Sequence, residues 1–318
     1  MEDDEVCGWR RRSTRVFRRA LAEACQVSTV KDVATSVRVS EALVRRAFAE
    51  MAPRMMEEPS SPPGVVALDE VWFGNHMGCF TVLYAPEAHK VLGLRRGRTQ
   101  ASAEALLERQ TDRERVEAVV IDMAEPYRQA VQYACPQAVI VADKFHVLSR
   151  VLLSLGRVIS QVQTTAERED ARILRHRRLF TAPSTHLSAA ECHERDRLLA
   201  TYPVLAQAWH TTQDFRAIYG AKSRAEAARA LDDWWACVQR CGPREFRGLY
   251  HVLKYWREEI LNYFSYRITN GFAEGKNNRI KAIIRTGYGY RNLTNLTQRI
   301  MLANPHTLVA GELTHHTY

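Results

Sequence analysis

The chain has 318 residues, 46% hydrophobic and 25% charged, a composition that folds around hydrophobic cores and a length that suits about two domains. Its formal net charge of +9 favours a polyanionic partner, because clustered lysine and arginine gain affinity by releasing counterions condensed on phosphates. The seven cysteines lack the spacing of a disulfide framework, and there is neither a signal-like start nor a run of about 18 apolar residues. These features argue against secretion and a membrane span, and they predict a cytoplasmic protein with reduced thiols.

Residues 1–52 are predicted to form a helical region. A basic stretch, "WRRRSTRVFRRALAEA", precedes residues 28–51, which predict two short helices around a tight turn. The apolar stripes are Val30, Val33, Ala34 and Val37 on the first helix and, after a Ser40 cap, Leu43, Val44 and Ala47 on the second. A helix-turn-helix of this kind would present Glu41, Arg45 and Arg46 to a DNA groove. A plain helical hairpin is the alternative.

Residues 53–64 contain four prolines and no apolar period, which predicts a linker. Strand patterns follow at 65–73, 78–86 and 90–97, and then at 116–122 and 138–143 with helices between them. Three antiparallel strands followed by strands that alternate with helices predict an α/β domain with the mixed sheet of the ribonuclease-H-like fold, although other α/β folds begin similarly. Residues 65–148 would form the first part of this domain, called the core below.

The sequence pattern of residues 149–262 is helical throughout and predicts a large all-helical insertion into the core. Capping-box patterns begin at Ser188 and Ser223, and the helices carry Trp209, Trp234, Trp235 and Trp256. These tryptophans are expected in the interior, with stacking on unpaired bases as the alternative. Cys237 and Cys241 lie one turn apart and are expected to be packed core cysteines rather than zinc ligands. Residues 263–303 would complete the core, and 304–318 would form a C-terminal tail.

Two aspartates lie where a charge is costly. Asp69 is near the middle of the first strand in "VALDEVW", and Asp122 ends the apolar run "AVVID". An unpaired buried carboxylate costs several kcal/mol, so each needs a partner or a metal ion. The first and fourth strands are neighbours in a ribonuclease-H-like sheet, which would bring both within reach of shared cations, and Glu274 would complete a triad. Such hard oxygen ligands suit Mg²⁺ or Mn²⁺, and two such ions can promote phosphodiester transfer.

Other acids offer alternatives to this set. Glu70 follows Asp69 directly, points to the opposite face of a regular strand and could be the real ligand. Asp143 and His146, at the end of the last strand, could line the same cleft as supporting residues behind the metal ligands. Alternatively, Asp143 is a carboxylate with a structural role and His146 a histidine whose hydrogen bonds are satisfied within the fold. Glu125 is expected to open the next helix as a first-turn acid favoured by the helix dipole.

The stretch "ITNGFAEGKNNRIKAIIR" predicts an amphipathic helix with Thr269 or Asn270 as its N-cap. Its apolar arc consists of Phe272, Ala273, Ile280, Ile283 and Ile284, and its polar face of Glu274, Asn277, Asn278, Lys281 and Arg285. Taken alone, this face could be a solvated surface on which Glu274 has ordinary helical neighbours.

Three long motifs in register carry a resemblance to a known family. They are "ALDE", "VVIDMAEPYRQAVQYACPQAVIVADKFHVL" and "TNGFAEGKNNRIKAIIRTGYGYRNLTNL", with a helical insertion between the second and the third. Over residues 28–302 the chain resembles the ISL-three group of insertion-sequence transposases, which carry a DDE-type catalytic domain. The resemblance implies that Asp69, Asp122 and Glu274 form the triad, binding two Mg²⁺ or Mn²⁺ ions to cut and rejoin DNA.

The resemblance also implies partners. The helix-turn-helix would help to recognise terminal inverted repeats in double-stranded DNA, and synapsis of two ends would require a dimer or higher oligomer, associated with the nucleoid when bound to DNA. From the helical projection we infer that DNA phosphates would lie beside Asn277, Asn278, Lys281 and Arg285.

One departure from the family pattern concerns zinc. Relatives usually begin with a cysteine-rich zinc-binding module, whereas here Cys7 and Cys25 cannot make a four-ligand site, so no zinc is expected. That departure puts the recognition of end repeats in doubt. Two alternatives to a transposase are also open. One is a non-catalytic or domesticated helix-turn-helix DNA-binding protein. The other is a metal-dependent nuclease without strand transfer.

Overall fold

The computed structural model describes residues 13–56, 63–74, 77–110, 112–269, 271–286 and 292–303, with the backbone alone for 272–274. The chain divides into two compact units. The first comprises the described residues of Met1–Val119, Glu125–Ala138 and Asn270–Tyr318. The second comprises Val120–Ala124 and the described residues of Val139–Thr269.

The helices and strands follow the chain in an order that begins helical, becomes mixed and ends helical. Up to the last strand they are α1 (Arg15–Ala24), α2 (Val30–Val37), α3 (Glu41–Met56), β1 (Val65–Trp72), β2 (Cys79–Ala85), β3 (Lys90–Arg96), α4 (Gln100–Leu107), β4 (Ala118–Ile121), α5 (Glu125–Ala134) and β5 (Val139–Ala142). After it come α6 (Lys144–Thr165), α7 (Arg168–Leu174), α8 (Arg178–Thr181), α9 (Ala189–Thr201), α10 (Pro203–Ile218), α11 (Arg224–Cys241), α12 (Arg244–Arg247), α13 (Leu249–Tyr255), α14 (Arg257–Tyr266), α15 (Gly271–Thr286) and α16 (Leu293–Leu302). None of the described helices combines the length and the apolar composition that crossing a bilayer requires.

The five strands form one sheet in the order β3-β2-β1-β4-β5. β1 pairs with β2 in antiparallel register, with Asp69 opposite Val82, and β2 pairs with β3 in the same sense. β4 is fully buried, as its unbroken apolar run predicts. All five strands lie where the sequence predicted them, and β1 and β4 are neighbours, as in the ribonuclease-H-like fold with which this order is consistent.

The three N-terminal helices, called here the head, pack around their own apolar cluster. Thr14 and Thr29 cap α1 and α2, and Ser40 Oγ accepts a hydrogen bond from Leu43 N at 3.3 Å, as expected of a cap. The buried members of the cluster are Leu21, Ala22, Cys25, Val33, Ala34, Val44, Ala47, Phe48, Met51 and Ala52. Val37 was expected in this stripe but is exposed, because α2 ends there and Arg38 turns into the left-handed region.

Helix α3 continues past the predicted start of the linker at residue 53. It runs to Met56 and contains Pro53, which lacks a backbone N–H and so removes one helical hydrogen bond. Burial of Met51 and Ala52, together with packing of Met55 against the head cluster, compensates for that loss. The predicted boundary was therefore early by four residues, since helix continues through residues 53–56.

Helix α16 lies beside the head as well as the sheet. It packs against α3, β3 and α15, and Leu302 contacts the head cluster. Arg299 Nη2 donates a hydrogen bond to Ser28 O at 2.5 Å. Within the first unit, α16 thus joins the head to the helix that carries Glu274.

Helices account for most of the second unit. Ser188 and Glu191 form the predicted capping box. Ser223 caps α11, but the predicted capping box is incomplete. The Glu226 carboxylate accepts a hydrogen bond from Lys222 N, whereas a capping box requires one from Ser223 N. Trp234 and Trp256 are buried as expected, and Trp209 and Trp235 are half-buried.

Cys237 and Cys241 are both exposed, so the expectation of core cysteines was wrong. Their Sγ atoms lie 3.7 Å apart on α11. The apolar face of that helix is formed instead by Ala227, Leu231, Trp234 and Val238. Cysteine is often buried, but here the helical period turns both thiols outward.

Asp170 anchors α7 within the second unit. Its Oδ1 accepts a hydrogen bond from Arg197 Nη2 at 2.6 Å, and its Oδ2 accepts one from the Tyr202 hydroxyl at 2.8 Å. The hydrogen bond from Arg197 is the main reason that the pKa of Asp170 lies below its ordinary value. A carboxyl group with a depressed folded-state pKa stabilises the fold above its unfolded-state pKa, and this contribution is lost as pH falls through the folded-state pKa.

Asp170→Asn is expected to lower the free energy of unfolding by about 1 kcal/mol at neutral pH, because Arg197 is partly exposed and water weakens its pairing. The difference from wild type should begin to shrink as pH falls below about 4, where Asp170 of the unfolded chain takes up a proton, and should vanish below the lower folded-state pKa. Urea denaturation over this pH range measures both values, with the exposed Asp233→Asn as the control. A difference that does not change with pH would contradict the assignment.

Candidate active site

Asp69 is held by hydrogen bonds inside the first unit. Its side chain is 8% exposed in the middle of β1. Its Oδ1 accepts a hydrogen bond from Glu70 N at 2.7 Å, and its Oδ2 accepts one from Asn277 Nδ2 at 2.9 Å. The second bond joins β1 to α15, so the carboxylate and the late helix fix each other's position.

Asn277 is bound on its other side by a tyrosine. The Tyr84 hydroxyl, fully buried in β2, donates to Asn277 Oδ1. Burial raises the pKa of Tyr84 well above its ordinary value, and the nearby Asp69 and Tyr127 raise it further, so this hydroxyl stays protonated. Because Tyr84 donates to the amide oxygen, the amide NH₂ group faces Asp69. We call the chain Tyr84–Asn277–Asp69 the Asn277 bridge.

The helical projection of α15 was wrong about Asn277. It put Asn277 on the outward polar face, but the residue is 8% exposed and both ends of its amide bond other side chains. Asn278, Lys281 and Arg285 are exposed, as the projection predicted. The reason is that a projection ranks residues by polarity alone, whereas a buried carboxylate opposite the helix makes a polar residue favourable in the interface.

Lys276 is a second buried polar residue of α15 that the sequence did not reveal. Its Nζ donates to Ala303 O at 3.4 Å, at the C-terminal end of α16, where helix carbonyls lack partners. Burial lowers the pKa of Lys276 to about 8, and the positive charge of Arg279 contributes. Ile280 and Ile283 complete the buried face of the helix, as expected, and Ile284 is half-buried.

Glu274 lies in the first turn of α15 and three residues before Asn277. The Glu274 side chain, and the N-cap candidate Asn270, lie outside the described residues. The helix that carries Glu274 is therefore tied to β1 one turn further along.

Glu70, the alternative to Asp69, already pairs with a cation. Its Oε2 lies 2.7 Å from Arg98 Nε, and the Cys79 thiol donates to the same oxygen at 3.6 Å. Strand alternation turns Glu70 to the face opposite Asp69. These contacts favour Asp69 over Glu70 as a cation ligand.

In the second unit, two carboxylates follow the ends of β4 and β5. Asp122 is 5% and Asp143 1% exposed, and Asp143 N donates to Ile121 O at 2.8 Å. Asp143 caps α6: its Oδ2 accepts from His146 N at 3.3 Å and lies 3.0 Å from His146 Nδ1. The helix cap gives Asp143 a structural role, and its part in any catalysis stays a prediction.

Glu125 opens α5, as predicted. It lies in the first turn of that helix, and its Oε2 is 3.5 Å from Arg128 Nη1. A first-turn acid interacts favourably with the partial positive charge of a helix N-terminus. Its position is explained without a metal ion.

The donor chemistry of Asp69 and Asp122 fits a magnesium-type ion. Both are buried carboxylates that supply hard oxygen ligands, and they come from strands adjacent in the sheet order. Among the described side chains, no group of three or more His, Cys, Asp or Glu is arranged to hold a metal ion. The carboxylate of Glu274, the third ligand that the sequence predicts, lies outside the described side chains.

The head presents two arginines on α3. Arg45 is well exposed, and its Nη2 lies 2.9 Å from Glu41 Oε2 one turn earlier. Arg46 is exposed as well. An exposed pair of this kind is worth only a few tenths of a kcal/mol, so Arg45 can exchange it for another anion.

Comparison with known proteins gives the family. A family model described as "Transposase", that of the ISL-three group, matches residues 66–300. The chain is 29% identical over 314 residues to the transposase for insertion sequence element IS1001 of Bordetella parapertussis, covering 95% of this chain and 77% of that protein. It is 24% identical over 313 residues to the transposase for insertion sequence element IS1557 of Mycobacterium tuberculosis strains CDC 1551 and H37Rv, covering 89% of this chain and 69% of each relative.

A sheet of this order, with buried aspartates in its first strand and after its fourth, is consistent with the ribonuclease-H-like class of nucleic-acid enzymes. The family match extends through both aspartates and through α15. The chain belongs to the ISL-three group of insertion-sequence transposases.

Asp143→Ala is expected to lower the free energy of unfolding by about 2 kcal/mol, because it removes the buried cap of α6. His146→Ala should cost less than about 0.5 kcal/mol, since most surface substitutions have small effects. Urea denaturation followed by circular dichroism measures both. Equal losses in the two variants would contradict the structural role of Asp143.

Proposed function

We propose that this protein is a DDE transposase that cuts DNA at terminal inverted repeats and joins the 3′ ends to target DNA. Asp69, Asp122 and Glu274 are its catalytic carboxylates. The observation that carries the proposal is the hydrogen bond from Asn277 to Asp69, because it ties the helix of Glu274 to the strand of Asp69. Family membership and the adjacency of β1 and β4 in the sheet support it.

The three carboxylates would hold two Mg²⁺ or Mn²⁺ ions, which when bound activate an oxygen nucleophile and stabilise the leaving oxygen. The protein contributes rigid positions for the ligands. Asp69 is fixed in the middle of a strand and oriented by the Asn277 bridge, and Asp122 directly follows a fully buried strand. Ligands placed in this way need little reorganisation when the substrate binds.

The proposed reaction has two phosphoryl-transfer steps. In the first, the oxygen of water attacks the phosphorus at the element end, and the 3′ oxygen of the element leaves and takes up a proton. In the second, that 3′ hydroxyl loses its proton and attacks a phosphorus of target DNA, displacing the 3′ oxygen of the cut target strand. Each step forms one P–O bond and breaks another, so no oxidant or reductant is needed.

The DNA would contact two basic surfaces of the first unit. Asn278, Lys281 and Arg285 on the exposed face of α15 would bind phosphates near the cut, and Arg45 and Arg46 on α3 would bind the end repeat. The net charge of +9 supports a polyanionic substrate. Bringing two element ends together would require at least two copies of the chain.

Asp69→Asn and Asp122→Asn are each expected to slow cleavage on the order of 10³-fold, because an amide is a poor ligand where the ions stabilise charge. The assay uses an end-repeat duplex with a labelled target plasmid, and it scores cut and joined strands in Mg²⁺ and in Mn²⁺. The exposed Asp233→Asn is the matched control. Cleavage within tenfold of wild type in either aspartate variant would rule out the triad, and cleavage without a joined product in wild type would identify a nuclease.

The double substitution Arg45→Ala with Arg46→Ala is expected to weaken end binding and to reduce the slope of log affinity against log salt by about 2, if each arginine contacts one phosphate. Fluorescence anisotropy between about 50 and 200 mM salt measures this slope. The exposed Arg229→Ala, on α11 of the second unit, is the control. An unchanged slope would exclude α3 from the DNA interface.

A further inference from the structure

A buried amide connects the late helix of the first unit to two strands of the sheet. Asn277 donates to Asp69 on β1 and accepts from Tyr84 on β2. We propose that Asn277 is a positioning residue that orients the Asp69 carboxylate for cation binding and fixes the register of α15, which carries Glu274. This inference rests on the proposed function, in which both carboxylates hold the ions.

The described hydrogen bonds of Asp69 fix the orientation of its carboxylate. One oxygen accepts from Glu70 N and the other from Asn277 Nδ2. Because the two bonds hold different oxygens of the group, together they fix its plane. Partners of this kind, one step behind the metal ligands, control ligand orientation and therefore metal affinity.

The chemistry of an amide suits this position better than that of a charged residue. A lysine would neutralise Asp69 and compete with a metal ion, and an aspartate would oppose its charge. The neutral amide of Asn277 donates to the anion while its oxygen accepts from a hydroxyl. Tyr84 supplies that hydroxyl from a fully buried position, which determines which end of the amide faces Asp69.

The same bond sets the register of α15. The apolar contacts of Ile280 and Ile283 hold the helix against its neighbours, but apolar contacts are non-directional and tolerate rotation or sliding. A one-residue shift turns a helix face by about 100°. The hydrogen bonds of Asn277 have a fixed direction, so they select one register, and Glu274 lies one helical turn away from them.

The test is a calorimetric titration of Mn²⁺ into the full-length protein, combined with thermal melts. Asn277→Ala and Asn277→Asp are expected to weaken Mn²⁺ binding by about 10- to 100-fold, the range for residues that orient metal ligands. Tyr84→Phe, which removes one oxygen atom, should weaken it by a smaller factor. The matched controls are Asn295→Asp on the exposed side of α16 and Tyr133→Phe on exposed Tyr133, and both should match wild type within about twofold.

A second readout, the DNA cleavage rate as a function of Mn²⁺ concentration, distinguishes a positioning role of Asn277 from a folding defect. In Asn277→Ala, raising the Mn²⁺ concentration should restore part of the DNA cleavage rate, because the defect is in metal affinity. A merely structural defect would lower the active fraction at every Mn²⁺ concentration. If Asn277→Ala does not fold, the Mn²⁺ dependence of DNA cleavage is measured in Tyr84→Phe instead.

Two outcomes distinguish failure of the inference from failure of the proposed function. Wild-type Mn²⁺ affinity in folded Asn277→Ala, with affinity lost in Asp69→Asn, would overturn the positioning role alone. Wild-type affinity in Asp69→Asn would overturn the metal site itself.

Discussion

A carboxylate buried in the middle of a β-strand must be solvated by the protein, and this constraint organises the first unit. Asp69 accepts one of its hydrogen bonds from Asn277, 208 residues further along the chain. The bond brings a late helix onto the first strand, and Tyr84 completes it from the second strand. The contact that makes the buried charge tolerable therefore also assembles two parts of the candidate site.

The surrounding helices connect this site to the head. Helix α16 packs against α15, β3 and α3, and it bonds the head through Arg299. Lys276 and Asn277, adjacent on α15, bond in different directions, one to the end of α16 and one to β1. A chain of packed helices thus runs from the predicted DNA-recognition helix to the helix of Glu274.

The strands and both aspartates could be predicted because their signals are local. Apolar runs mark β1 and β4, and a charge within or just after such a run is conspicuous at Asp69 and Asp122. Asn277 could not be assigned correctly, because its burial depends on a partner that is distant in sequence. Cys237 and Pro53 show the same limit: residue preferences favoured a buried thiol and a helix end, but helix phase and packing of the head decided otherwise.

Asp69, Asp122 and Glu274 are proposed to hold shared divalent ions. Anomalous diffraction from crystals soaked in Mn²⁺ locates such ions. Anomalous peaks are expected within about 2.5 Å of oxygens from all three carboxylates. Peaks coordinated by Asp143 and His146, with none beside Asp69, would refute the assignment of the triad.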